Sequence, residues 1–446
     1  MNNFIDNLAE KLTPLAGKLG SNRYLAVLRD AFMLSFPLTM FGSIVVVLNN
    51  LPFWSDDLKG TLGGLFGNGQ NATMSIMTIF ITFGIGYYLT RSYDEDGIFG
   101  GAVSLSSYLI LTPFNFTTAD GAEVSGALSL DRLGAKGMFI GMLAAFIAAE
   151  IYVRITKKGI VIKMPEGVPE GVPDAVARSF GALIPAISTL TIFLMLNALV
   201  SGVFTTNLHD VIYTVIQKPL VGLGSSLPAT LVSLFFVQIL WFFGLHGQII
   251  VNSVMDPIWN TLALENLDAF KAGEALPHII TKPFMETFTV GLGGSGMTLM
   301  VVILMAFVMK SRQMKDIGRL AIGPGLFNVN EPVIFGLPIV LNASIAIPWI
   351  LTPLIVTTVN YLSMASGLFP TPTGVTVPWT VPLFFSGMMA TNSVMGGVLQ
   401  LIDFVIVGVM WYPFLKVVDK ANLALTFEED TQASDRTSLQ GAQSKN

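Results

Sequence analysis

The feature that most restricts this chain is its series of apolar runs, most close to the length one helix needs to cross a hydrocarbon layer. A spanning helix takes about 20 predominantly apolar residues. Such runs occupy 25–48, 72–89, 98–114, 138–153, 180–203, 227–245, 292–309, 333–362 and 394–415, with a shorter one at 378–389. In lipid the backbone must satisfy its own polar groups, so these runs are expected to be helices. Only 12% of the 446 residues are charged, about half of what a soluble domain carries, and the mean hydropathy is +0.67. Such a chain cannot cover itself with polar surface. The expected fold class is an all-α polytopic membrane protein with the bilayer as part of its solvent. The first 24 residues are polar and basic-amphipathic, with Lys11, Lys18 and Arg23, and lack the apolar core of a cleavable signal peptide.

Lysine and arginine in the loops set the orientation. Lys11, Lys18, Arg23 and Arg29 place the N-terminus in the cytoplasm, and Arg154, Lys157, Lys158, Lys163 and Arg178 place the loop 154–178 there as well. Loops 50–71 and 115–137 are acidic or nearly uncharged, as outside loops should be. Arg312, Lys315 and Arg319 return the chain to the cytoplasmic side, so an odd number of crossings separates residue 205 from residue 311. The third crossing or dip needed there is expected at 247–264, broken at Asp256-Pro257. Both termini are expected in the cytoplasm.

There is no cysteine and there are three histidines. That excludes disulfides, thiolate ligands and a thiol nucleophile from this chain, and a histidine-rich metal site is not expected. No cofactor, metal or nucleic-acid partner is called for. The acidic run Asp94-Glu95-Asp96 beside Arg91 reads as a solvated face.

The chain divides near the basic loop. Residues 1–203 read as regular spans joined by short loops, and the connector within 154–178 repeats Glu-Gly-Val-Pro in tandem, which prolines keep from being helical. Residues 204–420 read as apolar pieces interrupted by Pro and Gly, a pattern that points to a transport site. Residues 421–446 are polar and expected to be a disordered tail.

Four pieces of the second half carry polar groups inside apolar surroundings. Trp241-Phe-Phe-Gly-Leu-His246-Gly-Gln248 ends an apolar run on a histidine beside glycines. Gly291-Leu-Gly-Gly294-Ser295-Gly296 can turn backbone N–H groups toward a ligand, or can let helices approach closely. Phe327-Asn-Val-Asn330-Glu331-Pro332 inserts a carboxylate between asparagines and a proline. An ionised group at membrane depth is costly and usually faces a cavity, although Glu331 could also close a helix end at the headgroups. Val377-Pro-Trp379-Thr-Val-Pro382, followed by Thr391-Asn392-Ser393, sets an aromatic face near amides and hydroxyls. That combination suits a sugar, whose C–H face stacks while its hydroxyls bond; an interfacial anchor is the plainer role for Trp379. The residues that these four pieces single out are His246, Gln248, Gly294, Ser295, Asn330, Glu331, Trp379 and Asn392.

The stretches IKMPEGVP, VARSFGALIPA, LWFFGLHG, GGSGMTL and FNVNEPVIFGLPIVLN resemble the lactose/cellobiose family of membrane IIC components of the bacterial phosphoenolpyruvate-dependent sugar phosphotransferase system, which includes N,N′-diacetylchitobiose permeases. The similarity runs to about residue 420; the second Glu-Gly-Val-Pro copy departs from it. The resemblance implies about ten transmembrane helices plus two re-entrant hairpins, in a homodimer whose contact is formed by the N-terminal half. It implies a C-terminal half that binds a disaccharide and moves it by a rigid-body shift. It also implies a separate IIB protein whose phosphocysteine phosphorylates the sugar 6-hydroxyl, with His246 and Glu331 beside that hydroxyl. The transfer would then be a joint activity with IIB, since this chain holds no phosphoryl donor. Two rival readings stay open on the residues alone: a proton-coupled sugar symporter using the same carboxylate as a relay, and a polytopic membrane transferase.

Overall fold

The structure is a computed structural model that describes residues 22–49, 61, 64, 67–69, 71–118, 122–162, 174–204, 207–337, 339–340 and 342–443, the last stretch from 425 as backbone only. The expectations for the extreme N-terminus and for the tandem Glu-Gly-Val-Pro fall outside the described residues.

The first half is a helical bundle. It comprises α1 (Arg23–Asn49), α2 (Met77–Arg91), α3 (Gly97–Leu111), α4 (Met138–Lys157) and α5 (Asp174–Phe204). Between α3 and α4 a short hairpin pairs β1 (Asn115–Thr117) with β2 (Glu123–Ser125), Phe116 opposite Val124. This hairpin is the one departure from the all-helical expectation among the described residues. Helices without a hydrophobic drive between them hold together through close backbone approach. A Cβ on Gly86 of α2 would lie 2.4 Å from Ser104 Oγ and 2.5 Å from the Gly100 carbonyl of α3. Glycine is what lets these helices touch.

The basic end of the bundle is stapled by one carboxylate. Glu150 accepts from Tyr24 Oη at 2.9 Å and Tyr93 Oη at 2.6 Å, and pairs with Arg154 at 3.3 Å. Asp96 is not merely a solvated face: it caps α3 through the Ile98 N–H at 3.0 Å and pairs with Arg178 of α5 at 3.1 Å.

The second half is less regular. It contains α6 (Leu208–Gly224, interrupted by a π turn), α7 (Leu227–Phe242) and α8 (Gly247–Ala272). It continues with α9 (Lys282–Met285), α10 (Leu299–Phe307), α11 (Arg312–Leu326), α12 (Glu331–Gly336), α13 (Ala343–Ala365), α14 (Phe385–Thr391) and α15 (Val394–Gln443). Trp349 and Trp411 are fully buried in its core with Met297, Val301 and Met305.

Several expectations need correction. The run 292–309 is not one span: glycines hold its first part in left-handed turns, and helix begins only at Leu299. The run 333–362 is split, because α12 stops at Gly336 and α13 starts at Ala343. Conversely, Asp256-Pro257 does not break a helix: α8 runs through it without interruption. Helix α15 carries on through the segment expected as a tail.

Among the described residues, four helices are long and apolar enough to span a bilayer, or five if α6 and α7, bent by 71°, count as one.

Candidate functional site in the second half

The histidine segment is built by a reversal between α7 and α8. Helix α7 ends with Gly244 at φ +79°, a left-handed position that favours glycine. The chain then turns so tightly that a Cβ on Gly247 would lie 2.0 Å from the Val237 carbonyl. His246 caps α8, its Nδ1 accepting from the Ile249 N–H at 3.4 Å. That assigns the proton of the neutral ring to Nε2, the nitrogen left for a ligand. The imidazole rests against Trp241, with ring centroids 4.4 Å apart. The Trp241 indole N–H in turn donates to Gln248 Oε1. Gln248 therefore acts on the histidine through the tryptophan that supports it.

The glycine loop and the Asn-Glu-Pro segment form one unit. Gly293, Gly294 and Gly296 have φ of +102°, +81° and +74°. Asn328 Oδ1 accepts from the Gly293 N–H at 2.7 Å, and Asn330 Nδ2 donates to the Ser295 carbonyl at 2.6 Å. A Cβ on Gly294 would sit 2.7 Å from Asn330 Cγ, so glycine is needed for that asparagine to enter. Of the two readings of this loop, close packing is realised: the loop is buried, and Gly296 abuts the Trp349 ring.

Asn328 reaches further. Its Nδ2 donates to the Trp379 carbonyl at 2.6 Å and the Val381 carbonyl at 3.1 Å. Three of the four polar pieces are thus laced together by two buried amides. Asn328 lies in the same motif as Asn330, and no local signal in the sequence marks it apart.

Glu331 begins α12. It is exposed, while its neighbour Asn330 is buried. The reason is local: the amide that locks the turn must point inward, which directs the next side chain out. A carboxylate at a helix start is also favoured by the backbone dipoles. Trp379 is 43% exposed. Asn392 ends α14 at φ +50°, a left-handed position asparagine tolerates, and this conformation by itself explains the residue type.

The arrangement offers an exposed carboxylate, an imidazole with a free nitrogen and an exposed indole on a rigid, hydrogen-bonded frame. That suits holding and deprotonating a polyhydroxyl ligand.

Comparison with known proteins agrees with this frame. The family model described as "Phosphotransferase system, EIIC" matches residues 29–353. The chain is 58% identical to the oligo-beta-mannoside-specific EIIC component of Bacillus subtilis (strain 168) over 98% of each chain. It is 39% identical to the cellobiose-specific EIIC component of Geobacillus stearothermophilus over 95% of this chain and 96% of the other. Among solved structures it matches the transporter ChbC, the IIC component from the N,N′-diacetylchitobiose-specific phosphotransferase system. That match has a TM-score of 0.87 at 36% identity and covers 94% of this chain and 99% of that one. With the apolar helices and the polar frame of the second half, these matches identify the chain as a member of the EIIC family, the membrane permease components of sugar phosphotransferase systems.

Proposed function

We propose that this permease binds a β-linked disaccharide, of the kind its relatives are named for: cellobiose, β-mannosides or diacetylchitobiose, with a lactose-like sugar as a further member of the class. The sugar 6-hydroxyl lies between Glu331 and His246. Glu331 accepts its proton as the hydroxyl oxygen attacks phosphorus. The new O–P bond forms as the S–P bond of a phosphocysteine on a separate IIB protein breaks, and the thiolate leaves with that partner. Positioning supplies most of the catalysis in such a transfer. His246 orients the carboxylate or the sugar. Asn330, Gly294 and Ser295 shape the floor, Gln248 holds Trp241 beneath the histidine, Trp379 stacks on a ring, and Asn392 lies toward the rim.

The same reading takes the chain as a bacterial inner-membrane homodimer with cytoplasmic termini. The first half, to about residue 203, forms the dimer contact, and 204–420 form the moving, sugar-binding half. About ten spans and two re-entrant hairpins are the membrane arrangement that goes with it. The exposed apolar face of α5, with Met195, Leu199 and Val203 each about two-thirds exposed, supports a lipid or subunit contact there.

The observation that supports the proposal is the buried frame in which Asn328 and Asn330 tie the glycine loop and the Trp379 segment to the turn that carries Glu331. Glu331→Gln keeps the shape and removes the charge. Sugar binding to the purified protein should weaken by about 1–3 kcal/mol, and IIB-dependent sugar phosphorylation should fall further. Near-normal binding and phosphorylation in Glu331→Gln would show that Glu331 only closes a helix end.

A further inference from the structure

Deep in the second half, α15 carries a carboxylate that the sugar site does not use. Asp403 is fully buried and lies about 14 Å along α15 from Val394, and α15 is one of the helices long and apolar enough to cross a bilayer. An ionised carboxylate in such a place is costly unless it is paired. Among the described residues no basic side chain pairs with it. The helices packed against α15 are α10, α13 and α14, and the π turn Glu286–Val290 packs on α13 and α14. Helices α10 and α14 hold no titratable side chain, and α13 holds only Tyr361. Glu286 is already paired with Lys282 at 2.6 Å. Lys416, the nearest basic residue on α15 itself, is about 20 Å further along.

The partner of Asp403 is Asn360 of α13, also fully buried. Asn360 Nδ2 donates to Asp403 Oδ2 at 2.9 Å and to the Phe288 carbonyl of the π turn at 3.3 Å. Both N–H groups of the amide are then used. Turned over, the amide would set an oxygen against a carboxylate and a carbonyl, so it is held this way round. That leaves Asp403 Oδ1 and Asn360 Oδ1, both buried acceptors without a donor. The Thr287 and Thr357 hydroxyls, on the same π turn and one turn earlier on α13, make no hydrogen bond and supply none. The pair is short of one hydrogen. Carboxyl and carboxamide are planar and of matching size, so a proton on Asp403 Oδ1 can close a second bond, to Asn360 Oδ1, beside the first. It satisfies both orphaned oxygens and removes the buried charge in one step.

We propose that Asp403 and Asn360 form a proton-binding site. Asp403 is held as the neutral acid, its hydroxyl donating to Asn360 Oδ1 while its other oxygen accepts from Asn360 Nδ2. The bound proton ties α13 to α15 and, through Phe288, to the π turn. Gln400, one turn before Asp403 on the same face of α15, extends the tie. Its Oε1 accepts from the Phe384 and Gly387 N–H groups at 2.9 and 2.8 Å, and its Nε2 donates to the Thr287 carbonyl at 2.9 Å. Helix α14 is thereby fixed to the same wall, and the packing of the second half depends on a proton. This does not rest on the identity of the sugar.

The test is infrared spectroscopy of the full-length protein in lipid, in light and in heavy water, on wild type, Asp403→Asn and Asn360→Ala, with thermal unfolding of each. Wild type should show the C=O stretch of a protonated carboxyl, moved to lower frequency in heavy water. Asp403→Asn should lose that band yet unfold at the wild-type temperature, because an amide at 403 can both donate to and accept from Asn360. In Asn360→Ala the band should move to higher frequency, its hydrogen bond gone. Where Asp403→Asn does not purify, Asn360→Ala decides: a shifted band supports the pair and an unshifted one overturns it. Loss of intensity from the ionised-carboxylate bands in Asp403→Asn, with the protonated band untouched, overturns the proposal. So does an unfolding temperature that rises with sodium in wild type and not in Asp403→Asn, since a cation would then take the place of the proton.

Discussion

Replacing Asn328 by alanine tests whether the sugar site depends on the lacing that buried amides provide. Asn328 is 3% exposed and bonds three main-chain groups from two distant segments: the Gly293 N–H at 2.7 Å and the carbonyls of Trp379 and Val381 at 2.6 and 3.1 Å. Alanine would leave the N–H and both carbonyls without this partner. A buried group left unsatisfied costs about 1–3 kcal/mol, less for carbonyls whose second lone pair is engaged, so about 3 kcal/mol is expected for the three together. Asn328 also sits at φ +63°, where alanine costs about 1 kcal/mol more. If half of the resulting ~4 kcal/mol falls on the sugar-competent arrangement, affinity drops about thirtyfold. Binding titrations and thermal unfolding of the detergent-purified protein read both parts. Asn328→Gly relieves only the backbone strain and should recover about 1 kcal/mol of stability relative to Asn328→Ala, without restoring affinity. Asn328→Asp keeps the acceptor for Gly293 but turns an oxygen toward two carbonyls, and should be no better than alanine. Wild-type affinity and unfolding temperature in Asn328→Ala would refute the view that this amide assembles the site.

Two further outcomes are expected. Gly294→Ala forces a side chain at φ +81° against Asn330; it should destabilise the protein by about 2 kcal/mol and abolish sugar binding, both measured on the purified protein. Because the chain has no cysteine, a single Lys158→Cys at the exposed end of α4 reports orientation cleanly. An impermeant thiol reagent should label it in inside-out vesicles and not in intact cells, and the reverse pattern would invert the assigned topology.

Much of the fold was legible in the residues because hydropathy acts locally. A run such as 138–153 becomes α4 whatever lies around it, since lipid leaves the backbone no other way to satisfy itself. Runs that mix apolar residues with glycine or proline were not legible in the same way. The runs 292–309 and 333–362 read as single helices, yet Gly293, Gly294 and Gly296 take left-handed turns at the start of the first, and in the second α12 stops at Gly336. Pro257 gave the opposite error, since neighbouring turns and packing carry α8 through it.

The candidate site divides along the same line. That His246, Glu331 and Trp379 stand out was decided by composition: polar and aromatic groups in apolar surroundings are costly enough to be conspicuous. Which of them meet was decided only by the tertiary structure. The bonds from Asn328 to Gly293 and Trp379, and from Lys282 to Asp256, join segments that share no periodicity and no common element. A side chain's partner across space depends on how whole helices pack, and that packing balances many weak contacts summed over the molecule. Asn328 and Asn330 look alike in the chain for this reason, and only the folded arrangement separates the frame of a site from its ligands.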